Sequence, residues 1–205
     1  MELKEIYPVV IWSVQYTGDE RNIFAIRMYQ WRDVEYLEDF IFRHKRFIEN
    51  NPFWNNYSIQ DIIVSAKRDA NNLLKYINKL YTNTLNSLHP DFSDKFYILE
   101  KPPYTEEKEA RRKLYGRDED DNVYNYFPSS VFRFYAIKVD SEKDDVIPAY
   151  IITGGGIKLT AKMLNMKELN QEYNKMLSVQ DWLAKQDIKT KESLYTLKNG
   201  KNEQY

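Results

Sequence analysis

The sequence predicts an α+β fold, an antiparallel or mixed β-sheet with a long helix pair and a C-terminal helix packed on it. Three observations carry this. Residues 9–16, 23–29, 132–139 and 149–153 are runs rich in β-branched and aromatic side chains, the composition of strands. Residues 59–85 repeat apolar side chains on one face at 3.6 residues per turn, the signature of a helix buried along one stripe. Residues 167–185 do the same over a shorter length. The order β-β-α-α-β-(α)-β-β-α suits a sheet with helices on one face.

Taken in order, residues 9–16 and 23–29 flank the turn-like Thr17-Gly18-Asp19-Glu20-Arg21-Asn22 and so predict a β-hairpin. Asp33 stands where an N-cap belongs, ahead of Val34, Leu37, Phe40, Ile41, His44 and Ile48 at helical spacing. That helix is expected to stop near Asn50-Asn51-Pro52. Ser58 with Asp61 forms a capping-box pattern at the head of the long helix, which ends before His89-Pro90. Residues 96–99 read as a third strand. Residues 101–130 open with Pro102-Pro103 and contain Asp118-Glu119-Asp120-Asp121 amid tyrosines, a long connection of the kind that is mobile or functional. Residues 1–187 are expected to make one domain, with a polar, flexible tail over residues 188–205.

Thirty basic against thirty-one acidic residues leave a net charge of -1, so nucleic-acid binding has to come from a local patch. Without cysteine there is no disulfide framework, thiolate nucleophile or cysteine-ligated metal. The first ten residues lack a signal-peptide pattern and no apolar run reaches membrane-spanning length. The expectation is a cytoplasmic protein without membrane partners, direct DNA contacts or cofactors. The acidic run at residues 118–121 lacks the glycine-bearing loop of a calcium site, so no metal is expected.

Two regions carry candidate chemistry. Gly154-Gly155-Gly156 directly follows a strand. Either it marks a bulge within that strand or it lets a ligand approach the backbone. Lys158, Thr160 and Lys162 share one face if the chain stays extended. Arg133 and Lys138 on a neighbouring strand are five apart and fall on opposite faces. Such cations either hold a phosphodiester or line a solvated sheet face. Lys108, Arg111, Arg112, Lys113 and Arg117, with Tyr104, Tyr115, Tyr124 and Tyr126 before, among and after them, make a basic-aromatic stretch of the type that grips single-stranded RNA, or a solvated loop.

The runs Arg112-Lys113-Leu114-Tyr115-Gly116-Arg117, Arg133-Phe134-Tyr135-Ala136-Ile137, Tyr150-Ile151-Ile152-Thr153-Gly154-Gly155 and Ile157-Lys158-Leu159-Thr160-Ala161-Lys162, followed by a helix, resemble the RelE/HigB-type toxins. The resemblance covers residues 94–187, with the upstream helix pair in the place of that family's helical hairpin. The whole chain is also similar to uncharacterised proteins of Bacteroides-like bacteria and their mobile elements. The resemblance implies an mRNA endonuclease, often acting on the ribosome, in which the RNA's own 2′-hydroxyl attacks the adjacent phosphate without metal or cofactor. It implies Arg133, Lys158 and Lys162 as electrostatic residues and Tyr135 or Tyr115 as base stack or proton relay. Arg112, Lys113, Arg117 and Lys138 would bind RNA, and an antitoxin protein would be the partner. The alternative is a non-catalytic protein-interaction module using the aromatic loop.

Overall fold

Ile23-Phe24-Ala25-Ile26 has strand composition, yet it begins a helix in the computed structural model. The Asn22 side chain accepts the Ala25 N–H at 3.0 Å, satisfying one of the first-turn donors that a helix leaves orphaned. Phe24, Met28 and Trp31 then bury one face of α1 (Ile23–Arg32). The expected hairpin is therefore corrected: its second strand is α1. The real hairpin lies one element earlier, pairing β1 (Glu2–Tyr7) antiparallel with β2 (Ile11–Gln15). The structure describes residues 1–8, 10–51, 54, 57–84, 96–98, 131–143, 148–159 and 166–202.

Asp33 caps α2 (Val34–Arg43) by accepting from the N–H groups of Glu35 and Tyr36. The chain leaves helical geometry at His44 and resumes as α3 (Lys45–Asn50), so the single helix expected here is two. Ser58 and Asp61 exchange the bonds of a capping box, Ser58 N–H to Asp61 Oδ2 at 3.3 Å and Asp61 N–H to Ser58 Oγ at 3.1 Å. They open the 26-residue α4 (Ile59–Thr84). Its Ile62, Ile63, Ala66, Ala70, Leu73 and Ile77 are buried at helical spacing, as the sequence predicts.

Three further strands, β3 (Phe96–Ile98), β4 (Phe132–Val139) and β5 (Ala149–Ile157), complete a mixed sheet in the order β1-β2-β5-β4-β3. β2 runs parallel to β5 and β3 parallel to β4, while β4 and β5 are antiparallel. The α+β class with a C-terminal helix stands as predicted, but the helices cover both faces of the sheet. Successive strand residues point to opposite faces. Phe134 packs on Trp31 and Phe24 of α1, while its neighbour Tyr135 donates its hydroxyl to Leu169 O of α5 (Lys167–Lys185) at 3.0 Å. Burial on both faces also explains why β4 and β5 read as nearly continuous apolar runs rather than alternating ones.

Residues 191–202 correct a second expectation. They form a helix, α6 (Lys191–Asn202), with Leu194 1% exposed and Tyr195 edge-on to Trp12 of β2. Glu192 ties it down, accepting from Ser141 Oγ at 2.6 Å and from Glu142 N–H at 3.0 Å. Those two bonds lower the Glu192 pKa from 4.5 to about 2. A depressed carboxyl pKa stabilises the docked helix above the unfolded value, and that contribution is lost as pH falls from 4.5 towards 2. Protection of the Lys191 amide, which bonds to Asp140 O at 2.9 Å, is expected to fall across that window. In Glu192→Gln the acid step should be absent and docking weaker at neutral pH.

Candidate functional site

The glycine run owes its place to packing. The β4–β5 ladder pairs Tyr135 with Gly154 and Ala136 with Ile152, leaving Thr153 as an extra residue, a bulge inside one strand. The irregularity expected at the glycines thus falls one residue earlier, at Thr153, and the three glycines themselves pair in register with Tyr135, Phe134 and Arg133. None of the three glycines has positive φ; among the described residues Gly18 is the glycine that does. What they supply is room. A Cβ on Gly154 would lie 2.2 Å from Glu172 Oε2, one on Gly155 3.0 Å from Trp31 Cη2 and from Arg133 O, and one on Gly156 2.6 Å from Leu169 Cδ2. The helices of both layers close directly onto this bare stretch of backbone.

At the same point β2 parts from β5, because their pairing covers Tyr150 to Ile152 only. Backbone groups beyond it need partners, and side chains provide them. Tyr16 donates its hydroxyl to Thr153 O at 2.6 Å, and Glu172 Oε2 accepts the Gly155 N–H at 2.9 Å. The other oxygen, Glu172 Oε1, accepts from Arg27 Nη2 at 2.9 Å and Lys175 Nζ at 2.6 Å. Burial raises the hydroxyl pKa of Tyr16, and the Glu172 charge adds to it while Arg27 opposes. Tyr36 is raised chiefly by burial as well, with Arg27 and Arg43 opposing. Sequence reasoning missed this cluster. Its members come from the residue after β2 and from α1, α2 and α5, and the one local hint was an acidic residue on the apolar face of an amphipathic helix.

Of the residues singled out from sequence, Arg133 and Lys158 come together. Phe132 pairs with Ile157, Arg133 with Gly156, and the Lys158 N–H bonds to Val131 O at 2.7 Å. In that register Arg133 and Lys158 are diagonal neighbours on one face of the ladder. Both are half-buried. The Arg133 guanidinium turns back to donate from Nη1 to Phe132 O at 2.7 Å. Burial lowers its pKa, and the charge of Asp69 on α4 works against that.

Lys138 stands at the far end of β4, opposite Tyr150, and pairs with Asp140 at 2.9 Å. Tyr135 is fully buried with its hydroxyl on Leu169 O. Its assignment as base stack or proton relay is corrected, since a ring in the core cannot reach RNA. Arg112, Lys113, Tyr115, Arg117 and Lys162 lie outside the described residues. Among the described residues no group of three or more His, Asp or Glu side chains is placed to hold a metal ion, and no helix is long and apolar enough to cross a membrane. No family model matches the chain, and neither a curated protein nor a solved structure matches it.

Proposed function

We propose that the chain is a metal-independent RNA endonuclease working at the end of the sheet where β4 begins and β5 finishes. The observation that carries this reading is the register that makes Arg133 and Lys158 diagonal neighbours on one ladder face. Two cations at that spacing suit a phosphodiester. The 2′-oxygen of the RNA bonds to phosphorus, the bond to the 5′-oxygen breaks, and the products are a 2′,3′-cyclic phosphate and a 5′-hydroxyl. Proton transfer from the nucleophile and to the leaving oxygen is the acid–base part of the step. Lys158 and Arg133 stabilise the charge that builds on the phosphoryl oxygens, and Lys162 joins them on the sequence pattern alone. An antitoxin laying a helix or strand across this end would silence it by covering its charge.

A second reading, a non-catalytic protein-interaction module, is favoured by Tyr135 and the glycine run. These residues serve packing rather than a ligand. Induced expression in a bacterial host separates the two. The first reading expects growth arrest by the native chain and release of arrest by Lys158→Ala, with both proteins soluble at equal levels. No arrest at good soluble yield selects the interaction module, and arrest that survives Lys158→Ala places the chemistry elsewhere.

A further inference from the structure

The break between α2 and α3 presents Phe42-Arg43-His44-Lys45-Arg46-Phe47, a hexapeptide with aromatic residues at both ends and basic ones between. Phe42 is 58% exposed and Phe47 37% exposed, the largest class of side chain that a soluble fold normally covers. Arg43, Lys45 and Arg46 are exposed beside them. Their commitments differ. Arg43 is held by Asp39, with Nη2 at 2.9 Å from Oδ2, and leans over the Phe40 ring. Lys45 faces Glu49 at 3.6 Å, an exposed pair of little strength. Arg46 has no ion-pair partner among the described residues. Neighbouring Ile48 and Phe40 are buried, so the outward rings are not part of the core.

We infer that this knuckle is a binding platform for single-stranded nucleic acid, with Phe42 and Phe47 stacking bases and Lys45 and Arg46 holding phosphates. Exposed rings offer flat faces, which every base can stack on, and cations between them follow a backbone. A peptide partner would instead be gripped through anchors sunk in desolvated pockets. An anionic membrane surface is read by clusters of about four to eight basic residues, more than this turn supplies. The inference rests on the RNA reading for its biological setting, but the binding itself does not require cleavage.

Position supports the link to the β4–β5 end. His44 Nε2 lies 3.4 Å from Glu168 Oε1 at the start of α5. The next residue, Leu169, closes onto Gly156. Trp54, just past α3, donates from Nε1 to Leu159 O at 2.7 Å, one residue after Lys158. A strand stacked on the knuckle therefore passes the same end of the molecule as Arg133 and Lys158.

The test is fluorescence anisotropy of labelled oligo(U), oligo(dT) and a duplex, each of about twelve nucleotides, with the full chain at low salt. Both single strands are expected to bind, more tightly than the duplex, and a preference for oligo(U) would add recognition of the 2′-hydroxyl. Phe42→Ala/Phe47→Ala should weaken binding by about tenfold or more. Lys45→Glu/Arg46→Glu should weaken it and flatten its salt dependence. Both pairs are exposed, so the fold should survive, which circular dichroism checks. No binding by the native chain, equal binding of the duplex, or unchanged binding by Phe42→Ala/Phe47→Ala overturns the inference. So does ring-dependent binding to phosphatidylserine vesicles without binding to the oligonucleotides. Cleavage is scored separately with Lys158→Ala. Loss of cleavage with retained oligonucleotide binding, or the reverse in the ring variant, tells failure of one proposal from failure of the other.

Discussion

Glu172→Ala is expected to destabilise the protein by about 3–5 kcal/mol, the cost of removing one partner from a buried ion pair. Glu172 and Arg27 are 7% and 15% exposed at the side chain, so the guanidinium left behind gains little from solvent. The same substitution orphans the Gly155 N–H at a place where β2 no longer runs beside β5. A single domain of this kind is stable by about 5–15 kcal/mol in total, so the variant should be near the edge of folding at room temperature. Urea unfolding measures it. Glu172→Gln keeps an acceptor for the amide and should lose less. Replacing both partners, Arg27→Met with Glu172→Leu, should recover much of the loss, because no buried charge then stands alone. If Glu172→Ala unfolds at the native midpoint, the cluster does not tie α5 to the sheet.

Gly154→Ala is expected to cost about 1–3 kcal/mol through overpacking, although Ala suits a strand better than Gly does. The added methyl would meet Glu172 Oε2 at 2.2 Å, so the carboxylate must leave the Gly155 N–H. Loss of that bond links the two substitutions, and Gly154→Ala added to Glu172→Ala should therefore cost less than the sum. Gly155→Ala has no such relief, because a methyl there meets the Arg133 carbonyl and the Trp31 ring at 3.0 Å. Strictly additive losses at positions 154 and 172 would show that the carboxylate does not occupy the space that the missing side chain leaves.

These two positions mark the boundary of what the sequence reveals. The capping box at Ser58 and Asp61 and the apolar stripe of α4 are local patterns, and the helix forms where they predict it. Asp33 is likewise legible as a cap. Helix α1 was misread because four β-branched and aromatic residues outweigh a single Asn22, although the buried spacing of Phe24, Met28 and Trp31 is helical. β1 is an edge strand with no fully buried residue, and its mixed polarity hides it. α6 depends on Glu192 reaching the turn after β4, a contact that no window of local sequence contains. The glycine run was visible as a special backbone, but its reason is the approach of Trp31, Leu169 and Glu172 from distant elements. For the proposed site, two cations on adjacent strands were legible, while their shared face waited on the register. Tyr135 was misplaced because a tyrosine in a strand looks the same from sequence whether its ring meets solvent or the core.

RNA cleavage by the purified chain in the presence of a chelator decides whether this protein is a metal-independent endonuclease. A single-stranded RNA is incubated with the native chain and with Lys158→Ala, and the chemistry of the new ends is read. The native chain is expected to leave 2′,3′-cyclic phosphate and 5′-hydroxyl ends, and a folded Lys158→Ala to cut at least about a hundredfold more slowly, the order of loss when one charge-stabilising group is removed. Intact RNA after exposure to folded native protein, or equal cutting by Lys158→Ala, would contradict the proposal.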